Sequence, residues 1–236
     1  MSAQRFSSFD EGVALVNRLI GHRNLEPAYQ AAQDLARQFP RRAQSHFLYN
    51  LVVCLSNRGG GARYSQHILD DARRCPDFDG KINGDMQRDR AIGLIRFASS
   101  PKHADLILAE NIIGDAQTLH AGDPDRLACL RDINGRLLYA KRRYRDAARE
   151  HEAANTNWVE IGDLANLVWV YNNKVHWLKA TVAGFGRNAA QARWLERDIR
   201  SGPPQGSRNR GPEARIIRGL PLGAGNLVHD WLTRHR

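Results

Sequence analysis

One stretch of the chain, residues 135–154, constrains the fold more than any other. Its sequence is GRLLYAKRRYRDAAREHEAA, in which apolar residues recur at helical spacing on both sides of a basic turn at 141–145. Small residues stand where the two helices would touch. A hairpin of two short helices cannot bury its apolar face alone, so similar hairpins must stack on it. The stretch therefore predicts an array of helical hairpins.

Helical periodicity extends along most of the chain, and strand-like alternation is nearly absent. Prolines and glycines separate the periodic segments, and the linkers are as short as stacked hairpins require. We expect ten helices, at residues 9–20, 27–39, 43–56, 64–75, 86–98, 102–120, 124–141, 144–154, 162–183 and 188–199.

Internal repeats support the same architecture. The segment DLARQFP at 34–40 matches DDARRCP at 70–76 in its aspartate, alanine, arginine and proline, at a separation of 36 residues. The tripeptide NLV at 50–52 recurs at 166–168, which is 116 residues later and close to three units of about 38 residues. Repeats of about this length with two helices apiece include the tetratricopeptide, HEAT and armadillo types.

The chain resembles a tetratricopeptide repeat (TPR) array over about residues 9–200, and the resemblance is best at 131–154. The matching residues are the glycine of the first helix, the aromatic of the turn and the two spaced alanines of the second helix: Gly135, Tyr144, Ala147 and Ala154. This resemblance implies an all-α fold, an α-α superhelix (a TPR-like solenoid) of about five helical hairpins. It implies no particular partner, because the same fold carries many functions.

The end of the chain departs from the repeat pattern. We expect a TPR-like repeat domain over 1–200, a linker rich in glycine, proline and arginine at 201–212, and a tail at 213–236. The tail combines several leucines and isoleucines with Trp231. It either caps the last open face of the array, which would otherwise expose apolar surface, or docks onto a partner.

The net charge of the chain is +10, and it depends on arginine, since only five of the 35 basic residues are lysines. Half of this excess lies in residues 197–236, which carry eight arginines against three acidic residues. The planar guanidinium suits carboxylate, phosphate and aromatic partners. The composition therefore favours an acidic partner, either a protein or a nucleic acid.

Signals for a membrane anchor, a secretory leader, a metal site or a known catalytic motif are missing from the sequence. Residues 77–85 resemble the middle of a calcium-binding EF-hand loop, but Cys75 and Met86 stand where acidic ligands belong, so a polar turn is the better interpretation. Three widely spaced cysteines indicate reduced thiols. We expect a cytoplasmic protein that is not an enzyme and uses no cofactor or metal.

Polar residues at helical spacing predict a partner-binding face. Two pairs of asparagines stand seven residues apart, and an aspartate, an arginine and a tyrosine follow one another at i, i+4 and i+7. In a TPR-like array these positions would line the concave groove, where they could hydrogen-bond an extended peptide or a terminal carboxylate. The predicted contacts are Asn50, Asn57, Asp132, Arg136, Tyr139, Asn166 and Asn173.

An alternative explains the same residues without a partner. The asparagines would satisfy neighbouring helices, and Asp132 with Arg136 would form a surface ion pair worth less than about 1 kcal/mol. The sequence thus favours a protein–protein interaction or scaffolding module that binds an acidic or extended segment within a larger assembly. The alternative function is a nucleic-acid-binding accessory protein that uses Lys141, Arg142, Arg143, Arg145, Arg208, Arg210, Arg215 and Arg218.

Overall fold

The computed structural model of the protein describes residues 5–161 and 167–201. These residues form ten α-helices and no strand, which confirms the predicted all-α class. Neighbouring helices pack against one another, as in all-α helical-repeat proteins. The helices are α1 (Phe9–Gly21), α2 (Leu25–Gln38), α3 (Ser45–Ser56), α4 (Ala62–Ala72), α5 (Gly80–Phe97), α6 (Ala104–Leu119), α7 (Pro124–Ala140), α8 (Tyr144–Ile161), α9 (Leu167–Phe185) and α10 (Ala190–Ser201).

Side-chain caps fix the start of several helices. Ser8, Asp79 and Asp123 each accept a hydrogen bond from a backbone N–H in the first turn of α1, α5 and α7. The cap at Asp79 corrects one expectation, because α5 begins at Gly80, whereas the sequence predicted a polar turn over 77–85. Helix α8 also continues past Ala154 to Ile161. The predicted start of α9 at residue 162 lies outside the described residues, and the other predicted bounds lie within three residues of the observed ones.

The described helices fall into two compact units, with the boundary between Gly122 and Asp123. The repeat domain predicted over 1–200 stays a prediction. In the first unit, three pairs of consecutive helices pack together: α1 with α2, α3 with α4, and α5 with α6. Helix α3 also packs against α5, the first helix of the following pair. The core between them includes Leu55, Ile68, Leu69 and Met86, each no more than 1% exposed.

In the second unit, α7 pairs with α8 and α9 pairs with α10, and α9 packs against both helices of the preceding pair. Ala147 and Ala154, two of the residues that carry the TPR resemblance, are fully buried in α8. Trp158 extends the packing of α8 on α7, and its indole Nε1 donates a hydrogen bond to Asp125 over 3.1 Å. Burying a large apolar side chain stabilises a fold by roughly 1.5–3 kcal/mol, which explains why α8 outruns its predicted end.

Hydrogen bonds between equivalent helices of successive hairpins recur at a fixed separation along the chain. In the first unit the partners are 38 to 40 residues apart, as in Glu26–Tyr64, Tyr49–Arg88 and Asn57–Arg96. In the second unit, Glu152 and Gln191 are 39 residues apart. A hairpin unit of this length exceeds the roughly 34 residues of a TPR and approaches the roughly 40–47 of HEAT and armadillo repeats. The TPR resemblance therefore stays a prediction.

None of the helices in the described ranges is both long and apolar enough to cross a membrane. The three cysteines, Cys54, Cys75 and Cys129, are free thiols. The predicted tail at 213–236 and the predicted linker after Ser201 lie outside the described residues.

Candidate functional site

Two of the predicted partner contacts lie in the first unit and are accessible. Asn50 is exposed on α3, and Asn57 is exposed at the C-terminal cap of the same helix. The Asn57 side-chain amide donates to the carbonyl of Val53 over 2.8 Å, and its oxygen accepts from Arg96 over 2.5 Å. Asn57 therefore ends α3 and links it to α5, while Asn50 remains open to solvent on its helix face.

Three of the predicted contacts of the second unit belong to a group of buried and half-buried polar side chains. We call it the polar cluster: Asp132, Arg136, His151, Asn173 and His176. Arg136 pairs with Asp132 one turn away on α7. The His151 Nδ1 lies 2.8 Å from the Asn173 side-chain oxygen and 3.0 Å from Asp132 Oδ1. The Asn173 amide donates to the His151 carbonyl over 2.7 Å. The polar cluster thus joins α7, α8 and α9.

Charge and burial set the ionisation of the polar cluster. Burial raises the pKa of Asp132, but the Arg136 guanidinium and the hydrogen bond from His151 outweigh it and hold this pKa well below its usual range. Burial, assisted by the positive charge of Arg136, holds the pKa of His176 well below 6.5. The imidazole rings of His151 and His176 stack with their centroids 5.9 Å apart. Asp132 is therefore ionised and His176 neutral near pH 7.

This arrangement buries part of the predicted binding face. Asn173 is 0% exposed and Asp132 is 3% exposed, so neither side chain can reach a partner unless the helices repack. Asn173 contacts a neighbouring helix, as the alternative interpretation described, whereas the pair of Asp132 with Arg136 is not at the surface as that interpretation expected. Tyr139, at the end of α7, is 39% exposed and remains accessible, whereas Asn166 lies outside the described residues.

Gly135 faces the ring of His151. A Cβ atom at position 135 would lie 2.7 Å from the His151 Cε1 and Nε2 atoms, closer than real contacts allow. The same relation occurs in the first unit, where Gly84 on α5 leaves room for the ring of His120, whose Nε2 lies 3.7 Å from Asp85. In both units, a glycine on the first helix of a hairpin therefore accommodates an imidazole from the second helix or its cap.

The first unit also contains a groove of about 520 Å³, which we call the arginine groove. Apolar side chains from α2, α3 and α4 form its floor, among them Tyr29, Leu48 and Ile68. Its walls carry Arg37 and Arg74, whose side chains are 68% and 79% exposed. A volume of this size is typical of sites that take a small molecule or a short segment of a partner.

The repeated segments at 34–40 and 70–76 meet at the arginine groove. Arg37 and Pro40 line it from the first copy, and Arg74, Cys75 and Pro76 line it from the second. In the sequence, this repeat indicated the fold and no binding site. The two prolines that match in the repeat, Pro40 and Pro76, both line the groove. The arginines do not correspond, because the repeat pairs Arg37 with Arg73 and the groove residue Arg74 comes one position later, so the repeat could have indicated the prolines alone.

The predicted nucleic-acid contacts that the structure describes surround the turn between α7 and α8. Arg142, Arg143 and Arg145 are exposed, and Lys141 is the C-terminal cap of α7. Arg143 pairs with Asp146 over 2.9 Å. The other predicted contacts lie outside the described residues: Arg208, Arg210, Arg215 and Arg218.

Across the described helices, no group of three or more histidine, cysteine, aspartate or glutamate side chains has a geometry that could hold a metal ion. The comparisons with known proteins add no relative: no protein family matches the chain, and neither a curated protein nor a solved structure shows significant similarity to it.

Proposed function

We propose that this protein is a helical-repeat interaction module that holds an acidic, extended segment of another protein in the arginine groove. The observation that carries the proposal is the combination of an apolar floor with two exposed arginines on the walls. A cytoplasmic location and a role within a larger assembly are part of the same proposal.

The floor supports the proposal because it offers apolar surface beside polar groups. The half-buried side chains of Ala36 and Cys75 and the exposed Pro40 also line the groove. Apolar side chains of a bound segment would leave water there, at a gain of roughly 25 cal/mol for each Å² of apolar surface buried. The recognition of extended segments commonly combines such apolar pockets with a few polar groups that fix the orientation of the peptide.

The walls favour an acidic segment. One guanidinium nitrogen of Arg37 lies 2.5 Å from Asp34, and one of Arg74 lies 3.2 Å from Asp71. A guanidinium carries five N–H donors, so each arginine keeps donors for a carboxylate of the partner while its own aspartate holds it in place. Both side chains are more than half exposed, which leaves those donors accessible.

Peptide selection tests this proposal without a known partner. A random peptide display library would be panned on the full-length protein, and the enriched peptides would be synthesised and titrated by calorimetry. The test variant is Arg37→Glu with Arg74→Glu. The control is Arg18→Glu with Arg58→Glu, which changes the net charge equally at exposed positions of the first unit that do not line the groove.

We expect the enriched peptides to combine aspartate or glutamate with apolar residues. The groove variant should weaken their binding more than tenfold, because a hydrogen bond to a charged group contributes about 1.5–3 kcal/mol. The control should bind as the wild type does, and circular dichroism should show equal helix content. Enrichment of peptides without acidic residues, or equal binding by the groove variant, would contradict the proposal.

The accessible members of the predicted face are tested with the same peptides. Asn50→Ala combined with Asn57→Ala removes two exposed amides from α3 without touching the arginine groove. A loss of affinity would extend the binding surface along α3. Unchanged affinity would remove both asparagines from it.

A further inference from the structure

A second surface, on the other unit, combines exposed aromatic rings with arginines. It is formed by the end of α7, the start of α8 and the end of α9, and we call it the aromatic–arginine surface: Tyr139, Arg142, Tyr144, Arg145 and Phe185. It does not depend on the arginine groove, since all of its residues belong to the unit that begins at Asp123.

The aromatic groups of this surface are held in fixed contacts. The rings of Tyr139 and Tyr144 lie 5.2 Å apart between centroids, inclined by 59°. The Arg145 guanidinium lies 5.3 Å from the centre of the Phe185 ring, and its Nε donates to the Gly184 carbonyl over 3.2 Å. A Cβ at Gly184 would lie only 3.1 Å from the Arg145 backbone nitrogen, so a glycine lets α9 approach α8 closely here.

These rings remain open to solvent although they are large and apolar. Tyr139 is 39% exposed and Phe185 is 49% exposed. Neither belongs to the buried core between α8, α9 and α10. Aromatic faces that are fixed by their neighbours and still accessible are the groups on which bases of a single strand stack.

The charge of the surface points to a polyanion. Residues 141–149 contain five basic side chains against one carboxylate, that of Asp146. Asp146 is already shared by Arg143 and Arg149. Among the described residues, no carboxylate lies within ion-pair distance of Arg142 or Arg145. Arg142 is also displayed at the tip of the turn by a left-handed backbone conformation, with φ of 61°.

We propose that the aromatic–arginine surface binds single-stranded nucleic acid, with bases stacked on Tyr139 and Phe185 and phosphates held by Arg142 and Arg145. An acidic protein would satisfy the arginines but would leave the two rings without a specific role. A nucleic-acid duplex would reach the arginines but keeps its bases stacked on one another. A single strand uses both features, because each nucleotide presents a flat base and a phosphate.

Fluorescence anisotropy tests this assignment. The full-length protein is titrated into a labelled oligothymidylate of twelve nucleotides and, separately, into an oligouridylate of the same length. Competitors are the same length of duplex DNA and poly-glutamate. Three double variants are compared: Tyr139→Leu with Phe185→Leu, which keeps apolar bulk but removes the rings; Arg142→Ala with Arg145→Ala; and the control Arg18→Ala with Arg58→Ala on the first unit.

We expect each single strand to bind, and the leucine variant to bind it at least about tenfold more weakly, in line with the usual effect of losing base–aromatic stacking. The alanine variant should lower the slope of log affinity against log salt by about 1.4, roughly 0.7 for each phosphate that the variant no longer neutralises. The control should keep wild-type affinity, apart from a small uniform effect of net charge.

Three results would overturn the proposal. One is the absence of binding to either single strand at low salt. Another is equal binding by the wild type and the leucine variant, which would reduce the interaction to the general attraction of a basic chain for polyanions. The third is competition by duplex DNA or poly-glutamate as strong as that by unlabelled single strand, which would assign the surface to another class of partner.

Discussion

Replacing Gly135 with alanine perturbs the closest approach between α7 and α8. The new Cβ would lie 2.7 Å from two atoms of the His151 ring and 2.9 Å from a third. His151 is 1% exposed, and its Nδ1 is held by Asn173 and Asp132. The ring therefore cannot move away from residue 135 without giving up a hydrogen bond inside the polar cluster.

The expected magnitude follows from three opposing contributions. Crowding one extra methyl group into a packed interior costs about 1–3 kcal/mol. Breaking a buried hydrogen bond costs about 1–3 kcal/mol more. Alanine regains about 1 kcal/mol through its higher helix propensity. We therefore expect Gly135→Ala to lower the free energy of unfolding of the second unit by about 3 kcal/mol.

Tryptophan fluorescence during urea unfolding measures this change selectively, because all five tryptophans of the chain lie beyond residue 122. The matched control is the same substitution in a His151→Ala background, where the ring is gone and alanine at 135 should be neutral or stabilising. A second control is Gly114→Ala on α6, whose urea unfolding is measured by circular dichroism. A Cβ at residue 114 has no neighbour within 4 Å, so this substitution should raise the free energy of unfolding. Gly135→Ala with wild-type stability, or an equal loss in the His151→Ala background, would refute the reasoning.

Three further outcomes follow from the described side chains. Gly84→Ala should destabilise the first unit, and His120→Ala should suppress that effect, as measured by circular dichroism during urea unfolding. Asp79→Ala removes the N-terminal cap of α5 and should cost about 1 kcal/mol in the same assay. Because the pKa of His176 is depressed in the folded state, the unfolded state binds a proton at a pH where the folded state does not. The free energy of unfolding of the second unit should therefore decrease as the pH is lowered from 6.5, by up to about 1.4 kcal/mol per pH unit. His176→Gln should flatten this decline. The depressed pKa of Asp132 should add a second loss of stability as the pH falls below 3.8, the ordinary pKa of an aspartate. A stability that does not change between pH 4.5 and 6.5 would contradict the prediction for His176.

The sequence predicted the helices well because their apolar spacing and their punctuation by proline and glycine are local signals. One error was at residues 80–85, where Gly80, Asn83 and Gly84 all disfavour a helix. Packing overrides that preference, since Gly84 gives the ring of His120 its place and Met86 is buried in the core. Local propensity could not reveal a contact between α5 and the far end of α6.

Sequence could not show that part of the predicted binding face is buried, for a related reason. Helical spacing shows that Asp132 and Arg136 share a face of α7, but it does not show which neighbour covers that face. The covering residues His151 and Asn173 lie on α8 and α9, 22 residues apart. Polar residues in a helical array can serve a partner or a neighbouring helix, and only the packing of the helices separates the two.

The constant separation of about 39 residues between hydrogen-bonded partners has a consequence during synthesis. Glu26 on α2 accepts a hydrogen bond from Tyr64 on α4, and the ribosome adds Tyr64 only 38 residues after Glu26. Contacts of such short range let each hairpin dock as soon as the next one emerges, so folding within a unit can follow translation step by step. An arrest of translation one hairpin early would then leave only the last completed hairpin without its neighbour.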